Sequence, residues 1–157
     1  MKAAFSLLEL ILAMCIIAIL AAVAMPYLHT PRQEATLMRL KADLATIQSG
    51  IAAARNENLL GNSASALSVL DEAAINSSGE RLFYCSNAQI SACNGSSNCC
   101  TASILSSGIG SNSKGWLKTG ARSYRFYLSS KNFVDFEFDA DEGVFECKNS
   151  TLCKELL

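Results

Sequence analysis

Between Leu10 and Leu28 the chain carries no charged residue, a run of 19. That is close to the roughly 20 apolar residues a helix needs to cross a bilayer. The sequence therefore predicts a membrane-spanning helix at the N-terminus and a domain of ordinary polarity after it. One carboxylate, Glu9, stands at the mouth of the run. A signal peptide accounts for Lys2 as its positive end and for Ala22-Val23-Ala24 as a cleavage site, but it puts an acid where a neutral or basic residue belongs. A plain anchor leaves Glu9 unexplained too, since an acid in a spanning helix costs about 2.5 to 3.5 kcal/mol at the bilayer centre and less near its edge.

Beyond Leu28 the pattern changes. Leu37, Leu40, Leu44, Ile47, Ile51 and Ala54 recur at steps of 3 and 4, with Arg39, Lys41, Asp43, Gln48 and Arg55 between them. This is an amphipathic helix with one apolar stripe. Pro31 suits its first turn and Gly61 its end. Joined to the apolar run it predicts one helix of about 53 residues, near 80 Å at about 1.5 Å per residue, bent or loosened at Pro26 and Pro31. The C-terminal third alternates with period 2. In "NFVDFEFDAD", Val134, Phe136 and Phe138 share one face, and Asp135, Glu137 and Asp139 the other. With "SYRFYLSS" before it and "GVFECK" after it, this predicts an antiparallel meander whose apolar face covers the helical stripe. Residues 62–115 are less legible. "ALSVLDEAA" suits a short helix, "RLFYC" a strand or a buried tether, and the stretch 87–113 is rich in Ser, Asn, Gly and Cys.

Of seven cysteines, Cys15 lies in the apolar run, and Cys85, Cys93, Cys99, Cys100, Cys147 and Cys153 lie in the polar part. An even set outside the apolar run points to disulfides in an oxidising compartment. Cys147 and Cys153 enclose only "KNSTL" and are paired first; adjacent Cys99 and Cys100 are expected to pair elsewhere rather than with each other. The remaining connectivity is open among several pairings. Zinc would favour CxxC pairs or Cys/His spacing, which the sequence does not contain.

"AAFSLLELILAMCIIAILAAVAMP", residues 3–26, resembles the leader and N-terminal helix of type IV pilins and of the pseudopilins of type II secretion. The match is carried by Ala4, Phe5, Ser6, Leu7, Leu8 and Glu9, by the apolar run, and by Pro26. It departs from the family pattern before the cut, where Gly is usual and Ala4 stands here. The resemblance implies cleavage between Ala4 and Phe5 by a prepilin peptidase and methylation of the new Phe5 amine. It also implies assembly through Phe5, Glu9 and Pro26, with Glu9 of one subunit meeting the Phe5 amine of the next. An ion pair in an apolar bundle sets register more than it adds stability. The fold implied is α+β: a long N-terminal helix, its first half membrane-spanning, packed on a small antiparallel sheet. Residues 1–4 would be leader, 5–28 the transmembrane and filament-core helix, 29–61 its amphipathic continuation, and 62–157 a disulfide-stapled domain with the meander at about 123–147. The function implied is that of a structural subunit, not an enzyme, in a type II secretion pseudopilus, a type IV pilus or a DNA-uptake pseudopilus. Its partners would be other pilin or pseudopilin subunits, the prepilin peptidase and the inner-membrane assembly platform. The protein would first be a single-pass inner-membrane protein with a periplasmic C-terminal domain, and then part of an extracytoplasmic filament. The alternative is an exported cysteine-rich periplasmic binding protein released by signal peptidase.

Other chemistry has less in its favour. Asp139, Asp141 and Glu142 in "DADEG" supply oxygen ligands suited to calcium, but their spacing is not that of an EF-hand, and a solvated turn has the same composition. No other cofactor is expected. Lys114, Lys118, Arg122, Arg125 and Lys131 lie near Trp116 and Tyr124 in the sequence, a combination used for single strands, yet the net charge of -1 gives no electrostatic reason to expect nucleic acid. The sole His29 precedes the polar domain, so no Ser-His or Cys-His pair is expected there. Cys15 reads as a small packing residue.

Overall fold

A computed structural model describes residues 7–24, 31–60, 67–94, 98–148, 151 and 153–156. The chain divides into two units, Met1–Met38 and Arg39–Leu157. The first holds helix α1 (Leu7–Ala24) and the start of helix α2 (Pro31–Leu60). α2 opens on Pro31, a position where the missing N–H costs nothing.

The expected membrane-spanning helix is corrected here. Among the described residues no helix is long and apolar enough to cross a membrane. α1 has 18 residues, roughly 27 Å at about 1.5 Å per residue, against a hydrocarbon core of about 30 Å, and Glu9 sits in its first turn. α2 is longer, at 30 residues, but Arg39, Lys41, Asp43 and Arg55 make it amphipathic. The fold class expected, with a membrane-spanning first half of one long helix, gives way among the described residues to two N-terminal helices, two short helices and two antiparallel sheets. The localisation as a single-pass inner-membrane protein falls with it. Pro26, His29 and Gly61 lie outside the described residues.

In the second unit the α2 stripe forms one wall of the core. Leu40, Leu44, Ile47, Ile51 and Ala54 are all buried, and they share a cluster with the inner face of a four-stranded antiparallel sheet. That sheet runs in the order β3 (Trp116–Lys118), β4 (Ser123–Tyr127), β5 (Phe133–Asp139), β6 (Val144–Lys148). Along β5, Val134, Phe136 and Phe138 point inward while Phe133, Glu137 and Asp139 are exposed. The register sets Trp116 opposite Phe126, Tyr124 opposite Phe136, and Phe136 opposite Cys147, so aromatic rings meet across strands on the buried side. β3 lies N-terminal to the stretch whose alternation points to the meander. Its signal is short, since in "GWLK" only Trp116 and Lys118 share the inner face. The indole Nε1 of Trp116 donates to Asp43 on α2 at 2.9 Å, which satisfies a buried donor and fixes helix to sheet.

A second layer covers the same core. "ALSVLDEAA" is not helical: residues 67–74 run as an irregular segment with Leu67, Val69, Leu70 and Asp71 buried. It leads to β1 (Arg81–Leu82), which pairs antiparallel with β2 (Ile109–Gly110). Between them lies α3 (Asn87–Ala92). Ser86 caps it through a capping box, accepting from the Gln89 N–H while Gln89 accepts from the Ser86 N–H. The last element is α4 (Cys153–Leu156).

Candidate functional site

The residues that carry the N-terminal motif fall into two groups. Ala4, Phe5 and Pro26 lie outside the described residues. Glu9 is exposed in the first turn of α1, where the partial positive charge of the helix N-terminus favours a carboxylate. From Leu7 to Ala22 every side chain of α1 is exposed. Ten of these are large and apolar, from Leu7, 76% exposed, to Leu20, 65%. They lie on all sides of the helix rather than in a stripe, as the unbroken run of Leu, Ile, Ala and Met requires.

The most elaborate polar arrangement lies elsewhere, around Asp71. This residue is 1% exposed and sits among the aromatic side chains of the core. Its Oδ1 accepts from Lys118 Nζ at 2.8 Å and from the Ala73 N–H at 3.1 Å. Its Oδ2 accepts from the Phe83 N–H at 2.8 Å and from the Tyr124 hydroxyl at 2.9 Å. Lys118, 4% exposed, also donates to the Asp71 carbonyl at 2.8 Å. Burial first, then the Asp71 charge and then the hydrogen bond to it, raise the Tyr124 pKa well above the ordinary phenol value, so Tyr124 stays a donor. Phe83 stacks on Tyr124 with centroids 4.6 Å apart. Its backbone is left-handed, at φ 58°, a conformation costly for an aromatic residue. That conformation aims its N–H at Asp71, while its carbonyl accepts from the Leu105 N–H.

Sequence reading missed this cluster. By sequence, "ALSVLDEAA" suggests a short helix for Asp71, and the spacing of basic residues suggests a loose group for Lys118. Period-2 alternation in "GWLK" was the signal for Lys118, because it puts the lysine on the same face as Trp116. That basic group does not form one surface. Lys118, Trp116 and Tyr124 are buried, and Arg125 makes a two-pronged ion pair with Asp135, its partner across β4 and β5, at 2.6 and 3.1 Å. The same guanidinium lies 3.8 Å from the Phe133 ring centroid.

The six cysteines of the domain form three bridges, Cys85–Cys100, Cys93–Cys99 and Cys147–Cys153. Adjacent Cys99 and Cys100 thus face different partners. Cys85–Cys100 is buried with Val69 in its own small cluster, and Cys147–Cys153 ties α4 to β6. Cys15 is free and exposed on α1. In the acidic turn, Asp139 Oδ1 accepts from the Asp141 N–H at 2.9 Å and the Glu142 N–H at 3.0 Å. Arg55 of α2 donates to the Glu142 carbonyl. The Asp139 carboxylate is thus occupied in shaping its own turn. Among the described residues no group of three His, Cys, Asp or Glu is gathered as a metal ion requires.

No family model, curated protein or solved structure matches the chain.

Proposed function

We propose that the chain is a pilin-like structural subunit of a bacterial envelope filament, assembled through α1. One observation carries this reading: an exposed helix, apolar on all sides, with a single carboxylate in its first turn. Exposed apolar surface on this scale marks an interaction site, and packing α1 against copies of itself removes that surface from water at about 25 cal/mol per Å². The motif from Ala4 to Glu9 supports cleavage by prepilin peptidase between Ala4 and Phe5 and methylation of Phe5. Glu9 then pairs with the Phe5 amine of a neighbour. An unpaired ion buried in such a bundle costs several kcal/mol, so the pair fixes the stagger between subunits. The type II secretion pseudopilus, the type IV pilus and the DNA-uptake pseudopilus all use a subunit of this kind. The three disulfides favour a second reading, an exported cysteine-rich periplasmic binding protein.

Mass spectrometry of the mature N-terminus separates the two. A methylated Phe5 is the expected result; a mature chain beginning at Met25 overturns the filament reading. Glu9→Ala should still be cleaved after Ala4, which lies several residues away, but should yield no sheared filament. Normal filaments from Glu9→Ala as the only copy of a major subunit would remove Glu9 from the assembly mechanism.

A further inference from the structure

The Asp71 cluster has more in it than an ion pair needs. One oxygen of the carboxylate faces an amine at 2.8 Å and also accepts from the Ala73 N–H at 3.1 Å. The other holds two donors, at 2.8 and 2.9 Å, from two different elements. One of those donors is supplied by a residue in a strained backbone conformation, and strain of that kind persists only where the surroundings impose it. Both charged side chains are buried, Lys118 at 5% exposure and Asp71 at 0%. Two donors on one carboxyl oxygen and a nucleophile at the other form the arrangement that stabilises a tetrahedral intermediate in acyl transfer.

We propose that Lys118 and Asp71 become joined by an intramolecular isopeptide bond once the domain has folded. The Lys118 ammonium passes one proton to Asp71 Oδ1 along their hydrogen bond. The freed amine attacks Cγ, and the carbonyl electron pair moves onto Oδ2, where the Phe83 N–H and the Tyr124 O–H hold the oxyanion. Collapse re-forms the Cγ=Oδ2 bond and breaks Cγ–Oδ1. Oδ1 leaves as water, carrying the first proton and a second from the nitrogen. Ammonium and carboxylate thus become amide and water, and no oxidant, metal or third reactant is consumed. The fold supplies the drive in two ways. Holding amine and carboxyl together replaces a bimolecular encounter, an advantage that reaches about 10⁵ M or more in effective concentration. Condensation also removes two buried charges whose desolvation is costly. The product ties the 67–84 segment to β3 covalently, a link that reducing agents do not break. Nothing in this step depends on how α1 is used.

The test is a tryptic digest of the purified, reduced full-length protein. An amide at Lys118 blocks cleavage there, so peptide 56–81 should appear joined to peptide 115–122, lighter than their sum by one water. Fragmentation should place the link between Asp71 and Lys118. In Lys118→Arg, which keeps the positive charge but removes the amine, the joined species should be absent. In a pulse-chase of newly made Tyr124→Phe, it should form about 100-fold more slowly, the effect of removing one oxyanion donor. Recovery of 56–81 and 115–118 as separate peptides from the folded wild-type protein overturns the proposal and leaves an ion pair. A joined mass that survives Lys118→Arg does the same.

Discussion

Helix α1 and the domain from residue 39 onward use apolar residues in opposite ways. In α1, Leu, Ile and Met face outward on all sides, and the helix has one carboxylate and a free cysteine. In the domain, the apolar residues of α2 and of the sheet face one another, and the polar groups buried among them are paired. Six cysteines are closed into bridges. The first region lacks what the second supplies for itself, a surface to bury against. Substitutions in the domain should therefore be read out in its unfolding and those in α1 in association.

The largest effect is expected at Asp71. Asp71→Ala strands the Lys118 ammonium, the Tyr124 hydroxyl and the Phe83 N–H in the core, so stability should fall by about 3 to 5 kcal/mol. Lys118→Met should cost less, because Asp71 keeps three of its donors. Chemical denaturation of the full chain, followed by fluorescence of the sole Trp116, measures both. A smaller loss for Asp71→Ala than for Lys118→Met would show that the carboxylate is not the centre of the cluster. Loss, in either variant, of the cleavage proposed after Ala4 would couple the two regions.

Next come the disulfides. Opening Cys85–Cys100 as the double Ser variant should cost about 3 kcal/mol, and opening Cys147–Cys153 about 2, since the first closes the longer loop. Thiol labelling of the unfolded, unreduced chain should modify Cys15 alone. Two or more labelled cysteines in the domain would mean that the bridges are incomplete.

The residues that lent themselves to sequence reading were those whose neighbours are set by periodicity. Steps of 3 and 4 from Leu40 to Ala54 define a buried stripe whatever covers it, and alternation from Phe133 to Asp139 defines a sheet face. The 67–74 segment has no such periodicity. Its shape is dictated by the bonds Asp71 makes to residues 83, 118 and 124, distant in sequence. A helical reading of "ALSVLDEAA" rested on propensity, which tertiary contacts override. For α1 the apolar run was plain, but the inference from its hydropathy to a spanning helix went too far. Among the described residues no helix is long and apolar enough to cross a membrane.

A third effect is expected at Gly50, inside α2. Ala is ordinarily better than Gly in a helix by about 0.8 to 1.0 kcal/mol. Here the sign should reverse, because a Cβ would press on the Ile104 carbonyl and lie 2.8 Å from its Cγ2. Gly50→Ala should lose about 1 to 3 kcal/mol by overpacking, seen in the same denaturation experiment. A gain in stability would mean that the 104 loop yields easily and is not part of the core wall.

The smallest effect is expected at Asp139, on the exposed rim. N–H groups of Glu142 and then Asp141 hydrogen-bond its carboxylate and hold its pKa below the ordinary value; the positive charges of Lys148 and Arg122 act in the same direction, against a small opposing desolvation. These bonds favour the charged form in the folded state only. Their stabilisation is therefore complete above the unfolded value of about 3.9 and is lost as pH falls through the lower folded value. Asp139→Asn keeps an oxygen for the turn but cannot titrate, so its acid-side stability curve should be shallower than that of the wild type over that window and parallel to it above. The carboxyl carbon of Asp139, followed by NMR, should titrate below the range of an exposed aspartate. A midpoint at or above the unfolded value would mean that the turn bonds are not kept in solution. The carboxylate would then be free of the turn, and the fold around residues 139–143 would rest on Arg55 and the backbone alone.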